Sequence, residues 1–200
     1  RSAVGSAKSL NMPKDNIERA IKKGEGNDPD SNYEEVRYEG YGPDGVAIIV
    51  EALTNNKNRT AAEVRSTFSK YGGNLGETGS VSFGFKRLGS ITLNKSDINE
   101  EELFDFIVEN GSEDYEINED VYNIYCDQKN LHQLNQKIIE KFGPTNFTGL
   151  IWKSENEISI SKDKAESLFK LLNILEENED VQAVSSNFDV SDDVLDTLTV

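Results

Sequence analysis

The sequence predicts an α+β protein in which a small N-terminal helical segment precedes two ferredoxin-like α/β domains, one inserted in the other. Three observations lead there. From Gly89 to Lys153 the hydrophobic periodicities follow the order βαββαβ, which suits an antiparallel sheet with both helices on one face. The patterns on either side of that stretch, taken together, spell the same order again. A turn-rich stretch from Gly24 to Asn32, with Pro29 and two aspartates, separates a first helix from everything that follows.

The first helix is expected over Asn11 to Gly24. Asn11 and Pro13 are start signals, Ile17, Ala20 and Ile21 keep helical spacing, and Gly24 is a suitable stop. Two β-rich runs, Tyr33 to Glu39 and Val46 to Leu53, flank the turn Gly40-Tyr41-Gly42-Pro43-Asp44-Gly45 and read as a hairpin. That turn spells G-x-G-x-x-G, but a dinucleotide fingerprint must open a helix whose N-terminus receives the pyrophosphate, and here a strand follows. Asn55 to Arg59 reads as a polar loop. Thr60 and Glu63 then form a capping box for a helix carrying Ala61, Val64, Phe68 and Tyr71 on one stripe. The glycine-rich loop Gly72 to Ser80 lacks the Gly-Lys-Ser/Thr of a phosphate cradle and leads into a strand over Val81 to Lys86.

From Gly89 the expected elements are a strand at Ser90 to Leu93, a helix at Asn99 to Asn110 with an Asn99/Glu102 capping box, strands at Tyr115 to Ile117 and Val121 to Cys126, a helix at Asn130 to Phe142, and a strand at Phe147 to Lys153. A short strand Glu157 to Ile160, a helix Lys162 to Glu177 and a strand Val181 to Phe188 complete the chain. The expected division is residues 1–28 for the helical segment, 29–88 with 154–190 for a discontinuous middle α/β domain, 89–153 for the inserted ferredoxin-like domain, and 191–200 for an acidic tail.

Charge is segregated along this order. The net charge is −16, yet residues 1–87 hold 13 Lys and Arg against 12 Asp and Glu, leaving 8 against 25 in the remainder. An acidic field repels phosphate backbones, so any nucleic-acid surface belongs in the first 87 residues, while the acidic C-terminal domains suit a basic protein partner and make a pure protein-binding module a further alternative. No stretch approaches the roughly 20 apolar residues of a membrane span, and no secretory signal opens the chain. A single Cys126 cannot form an internal disulfide, which fits a reducing compartment. A cytoplasmic location is expected, or the mitochondrial matrix in a eukaryote.

Chemistry is tested by elimination. One His and one Cys leave no nucleophile–base pair and no metal-ligand spacing; His132 lies off the apolar stripe of its helix, and Cys126 shares a strand face with Tyr122 and Ile124. The carboxylates sit in solvated runs where nothing separates the pKa values of a pair. No catalytic residue, metal or cofactor is expected, and the chain is expected not to be an enzyme. The binding feature is basic: Lys14, Arg19, Lys22 and Lys23 on the first helix, then Lys57, Arg59, Arg65 and Lys70 in and around the second, with Arg59 beside a helix N-terminus. The ordinary alternative is a solvated charged face. Tyr38, Tyr41, Phe83 and Phe85 have strand spacing that favours core roles over base stacking.

The blocks Asn11-Met12-Pro13-Lys14-Asp15-Asn16-Ile17-Glu18-Arg19-Ala20-Ile21-Lys22-Lys23-Gly24, Tyr38-Glu39-Gly40-Tyr41-Gly42-Pro43, Asn58-Arg59-Thr60-Ala61-Ala62-Glu63-Val64-Arg65, Gly72-Gly73-Asn74-Leu75-Gly76 and Asp180-Val181-Gln182 closely resemble the YebC/PmpR-type transcriptional regulatory proteins. The resemblance spans nearly the whole chain. It implies a three-domain protein with the interrupted connection described above, acting on DNA as a transcriptional regulator or at the ribosome, on ribosomal RNA, as a translation factor related to the mitochondrial translational activator of cytochrome oxidase. It further implies a basic Gly-His-Ser-Lys-Trp segment and a helix ahead of Arg1, so residues 1–28 are expected to be the remnant of a helical N-terminal domain.

Overall fold

A computed structural model of the chain describes residues 4, 7, 12–25, 32–95 and 98–191. The expected helix start at Asn11, the side chains of Lys22 and Lys23, and the acidic tail from Asp192 lie outside the described residues.

Helix α1 spans Lys14–Glu25, directly after Pro13, whose carbonyl accepts from the amides of Asn16 and Ile17. Strands β1 (Glu34–Tyr41) and β2 (Ala47–Thr54) form the expected antiparallel hairpin, paired from Tyr41 with Ala47 to Glu34 with Thr54. Its turn needs two consecutive left-handed residues. Asp44 has φ 56° and Gly45 φ 77°, which aspartate tolerates and glycine adopts freely.

Helix α2 spans Lys57–Lys70 and so begins three residues before the expected Thr60. The cap is Asn56, whose side-chain oxygen accepts from the Arg59 amide at 3.1 Å, an N-cap bond that Thr60 was expected to make. A two-residue strand β3 (Asn74–Leu75) follows.

The segment after β3 departs most from what its periodicity predicts. Val81 to Lys86 and Ser90 to Leu93 are not two strands; a 3-10 turn at Ser82–Gly84 precedes one continuous strand β4, Phe85–Asn94. Gly89 does not interrupt it, because an added Cβ would stand 2.9 Å from Leu131 Cβ: the glycine admits a helix to the sheet. Helix α3 (Glu100–Glu109), β5 (Ser112–Ile117), β6 (Val121–Cys126), α4 (Leu131–Phe142) and β7 (Phe147–Ser154) follow, then β8 (Ile158–Ser159), α5 (Lys162–Glu176), β9 (Val181–Ser186) and β10 (Phe188–Asp189). The Asn99 cap of α3 is as expected, accepting from the Glu102 amide at 3.0 Å.

The second sheet, ordered β5-β6-β4-β7 with every ladder antiparallel, is a ferredoxin-like βαββαβ unit. The first sheet is ordered β3-β1-β2-β9, also antiparallel throughout. Its arrangement matches the second sheet's except at one place: hairpin strand β1 takes the position that the third strand of the unit, β6, holds in the other. The segment Val81 to Lys86, expected to supply a strand there, leaves for the second sheet instead. The elements β4 to β7 thus lie between β3 and α5 in sequence, so one α+β unit interrupts the other.

Alternation along β2 explains how the two sheets meet. Val46, Ile48 and Val50 face α2 and α5, packing with Val64, Phe68, Leu168 and Leu171. Ala47 and Ile49 face the other way, against Val81 of the loop before β4 and Phe85 and Trp152 at the second sheet's near end. A strand buried on both faces reads as a continuous apolar run, as Val46 to Val50 does. The second core, including Ile91, Leu103, Ile107, Ile124 and Ile138, lies under α3 and α4 and holds Cys126.

Candidate nucleic-acid interface

Helix α2 carries four of the predicted basic residues, and the structure divides them. Successive helical residues step by about 100°, so Thr60, Val64 and Phe68 share the buried stripe while Arg59, Ser66 and Lys70 lie opposite and Arg65 on the flank. Lys57 forms an ion pair with Glu34 of β1. Arg59 turns its guanidinium onto Asp180 at 2.7 Å. Arg65 and Lys70 are exposed and make no salt bridge among the described residues; the Lys70 ammonium stands 5.2 Å from the Tyr71 ring centroid. On α1, Lys14 and Arg19 are exposed, with Lys14 3.6 Å from Glu18.

The sequence reading missed Lys164. It lies in the first turn of α5, and together with Lys70, Tyr71, Gly72 and Ser167 it lines a hollow of about 230 Å³. Asp44 also borders it, but its carboxylate is committed to the Ser161 amide at 2.9 Å and hydroxyl at 2.6 Å, the cap of α5. Two ammonium groups that are distant in sequence therefore reach one recess.

Arg59 belongs to a buried lock. Asp180 accepts from Thr60 Oγ1 at 2.6 Å, Arg59 Nη2 at 2.7 Å and Thr54 Oγ1 at 3.0 Å, all on one oxygen. Burial pushes this carboxyl up, but the bonds from Thr60, Arg59 and Thr54 and the charge of Arg59 outweigh it and hold the pKa below the usual aspartate value. The Asn58-Arg59-Thr60 and Asp180-Val181-Gln182 blocks thus meet in space, and what they build is a clasp between β2, α2 and β9. Gly40 and the Gly72-Gly73-Asn74-Leu75 block meet likewise, since a Cβ on Gly40 would lie 2.6 Å from the Asn74 carbonyl oxygen.

A second buried carboxylate shapes the loop before β4. Glu39, 1% exposed, accepts from the amides of Val81 at 3.0 Å and Ser82 at 2.9 Å, with Arg37 Nε 2.9 Å away. Desolvation opposes its charge, yet the amides of Val81, Gly79 and Ser82 and the Arg37 charge draw its pKa below the ordinary glutamate value. The loop so anchored exposes Phe83 by 78%, against the expected core role; Phe85 is buried as expected. The 3-10 turn breaks the strand alternation on which that expectation stood. Tyr41 donates its hydroxyl to the Ser80 carbonyl at 3.1 Å.

Between the sheets, Arg37 and Arg87 stack on Trp152 at 4.9 and 5.1 Å from the ring centroid, bordering a cleft of about 490 Å³. Glu35 and Glu51 line the same cleft, and Arg87 is bonded to Glu51 at 2.8 Å, so its charges largely cancel. Among the described residues no cluster of three His, Cys, Asp or Glu side chains is placed to hold a metal ion, and no helix is long and apolar enough to cross a membrane. His132 is exposed and Cys126 buried.

Fold and surface together define an α+β protein with two four-stranded antiparallel sheets, in which one ferredoxin-like unit interrupts another of altered strand connection. The family model described as the TACO1/YebC second and third domain matches residues 33–188, and the chain belongs to that family of transcriptional-regulator type. It is also similar, at 42% identity and a TM-score of 0.86, to the crystal structure of a conserved hypothetical protein from Aquifex aeolicus, the match covering 95% of this chain and 79% of that one.

Proposed function

We propose that the chain is a regulatory protein that binds DNA through the outer faces of α1 and α2 and acts by binding, without catalysis. Family membership supports a role in regulating gene expression. The observation that carries the nucleic-acid reading is the placement of Arg65, Lys70 and Lys164: all three are exposed and outside any salt bridge among the described residues, on a chain of net charge −16. Lys70 and Lys164 share one recess and Arg65 lies on the flank of the same helix, while the acidic inserted unit repels a phosphate backbone, so approach is expected at α2. Lys14, Arg19, Lys22 and Lys23 extend the same sign of charge along α1 in sequence.

The test is a mobility-shift series with duplex DNA at increasing salt, using the full chain. Each lost phosphate contact lowers the salt slope by roughly 0.9. Replacing Arg65, Lys70 and Lys164 together by Ala is expected to flatten the slope by about 2 to 3. An unchanged slope would remove these residues from the interface, and binding indifferent to salt would refute the proposal. The second reading is a ribosome-associated translation factor, in which the same cations would meet ribosomal RNA and the acidic inserted unit would meet a basic protein surface that naked DNA does not offer. Co-sedimentation with ribosomes, abolished by the same triple replacement, decides for it.

A further inference from the structure

Residues 96–128 hold 12 Asp and Glu and no Lys or Arg, the most one-sided stretch of the chain. Within it the structure leaves an apolar strip uncovered. Helix α3 buries Leu103 and Ile107, while Phe104 and Val108, one turn apart on the adjoining flank, remain 41% and 56% exposed. Phe104 meets Tyr115 of β5 with ring centroids 5.3 Å apart, and Ile117, two residues along the same strand face, is also exposed. Strand β5 ends the sheet, so the strip runs along its outer edge.

Acids border this strip on the helix side. Glu101, Asp105 and Glu109 follow one another at i, i+4 spacing, a like-charge column that weakens an isolated helix. None of them makes a salt bridge among the described residues, although Glu102 on another face is bonded to Lys141 at 3.0 Å and Asp114 and Glu116 to Lys153 at 3.1 and 2.7 Å. An exposed phenylalanine and valine beside an uncompensated acidic column serve the isolated fold poorly on both counts, and contiguous apolar surface with a polar rim is the mark of an interaction site.

We propose that the strip formed by Phe104, Val108, Tyr115 and Ile117 docks a basic polypeptide segment of a partner protein that carries apolar side chains among its Lys and Arg residues. Charge selects this occupant. Nucleic acid and anionic lipid surfaces are repelled, and a second copy joined by a two-fold axis through the strip would set the Glu101-Asp105-Glu109 column against its own image. A basic, apolar segment alone satisfies both the rim and the strip.

The experiment uses the full chain and two fluorescein-labelled peptides of equal length and charge, one built from Lys and Leu, the other from Lys and Ser. Anisotropy titrations are expected to give the Lys/Leu peptide about tenfold tighter binding, and Phe104→Ser with Val108→Ser should bring it down to the level of the Lys/Ser peptide. Asp105→Lys with Glu109→Lys should weaken both peptides, and reads the same strip if the apolar double variant fails to keep the wild-type urea midpoint. Phe83→Ser, remote from the strip, should change nothing. Equal binding of the two peptides by the wild-type chain, or an effect of Phe83→Ser as large as that of the strip variants, overturns the proposal. So does a concentration-dependent dimer that the strip variants dissolve, since the occupant would then be a second copy. No nucleic acid enters the assay, so its outcome is separate from that of the DNA test.

Discussion

Replacing Asp180 by Ala should show how much of the first unit's stability rests on one carboxylate. The change removes the acceptor of three donors, and breaking a fully buried ion pair costs about 3–5 kcal/mol. Two features of the site lower that figure. Arg59 is about half exposed at 47% of its side chain, so water takes over its freed donors. Thr60 Oγ1 also lies 2.9 Å from Thr54 Oγ1 and 3.1 Å from the Asn56 carbonyl, so both hydroxyls can re-pair. What remains is the loss of charge-assisted bonds and a small cavity, about 2–3 kcal/mol, or roughly 5–10 °C in Tm for a chain of this size. Urea unfolding followed by far-UV circular dichroism measures it. The pH dependence has a fixed sign: because the folded Asp180 carboxyl lies below its unfolded value, its stabilisation is complete above that value and fades as pH falls from about 4 through the folded pKa. Wild type and variant should therefore converge in acid. A loss under about 0.5 kcal/mol at pH 7, or a difference that persists unchanged to pH 2, would refute the clasp.

Glu39→Ala should cost about 2–4 kcal/mol, because it strands the Val81 and Ser82 amides, and hydrogen exchange should show those two amides opening faster than their neighbours. Gly40→Ala should destabilise by about 1–3 kcal/mol as the new methyl forces Asn74 and Phe68 aside; an NMR spectrum with unshifted β3 resonances would count against that contact. Burial, with Glu113 and Asp127 nearby, pushes the Cys126 thiol up to about 11, so at pH 8 only about one thiol in a thousand is ionised. The native chain should resist a thiol reagent that labels it at once in denaturant, and rapid native labelling would place Cys126 outside the core.

Much of the fold was legible because local rules and global packing agree. The hairpin announced itself through Pro43-Asp44-Gly45 between two strand-like runs, α3 through the Asn99 cap, and the inserted sheet through its βαββαβ order. Where the reading failed, a distant residue had outbid the local signal. Thr60 looked like a cap, but its hydroxyl is taken by Asp180, 120 residues away. Val81 to Lys86 looked like a strand, but Glu39 draws the amides of Val81 and Ser82 out of any ladder. The basic residues of α2 were visible as a group; that Lys57 and Arg59 face acids while Arg65 and Lys70 do not was not, since it depends on which strands lie beside each end of the helix.

By itself, then, the order of residues determined the periodic elements, the split of charge and the motif blocks, all of which follow from interactions within a few positions of the chain. Only the tertiary structure decided that β1 fills a place in the first sheet where a later strand was expected, that Asp180 and Glu39 are buried clasps, and that Lys164 joins Lys70 at one recess. Each of these turns on hydrogen bonds or electrostatic proximity between groups far apart in sequence, whose strength depends on the burial and distance that folding alone creates.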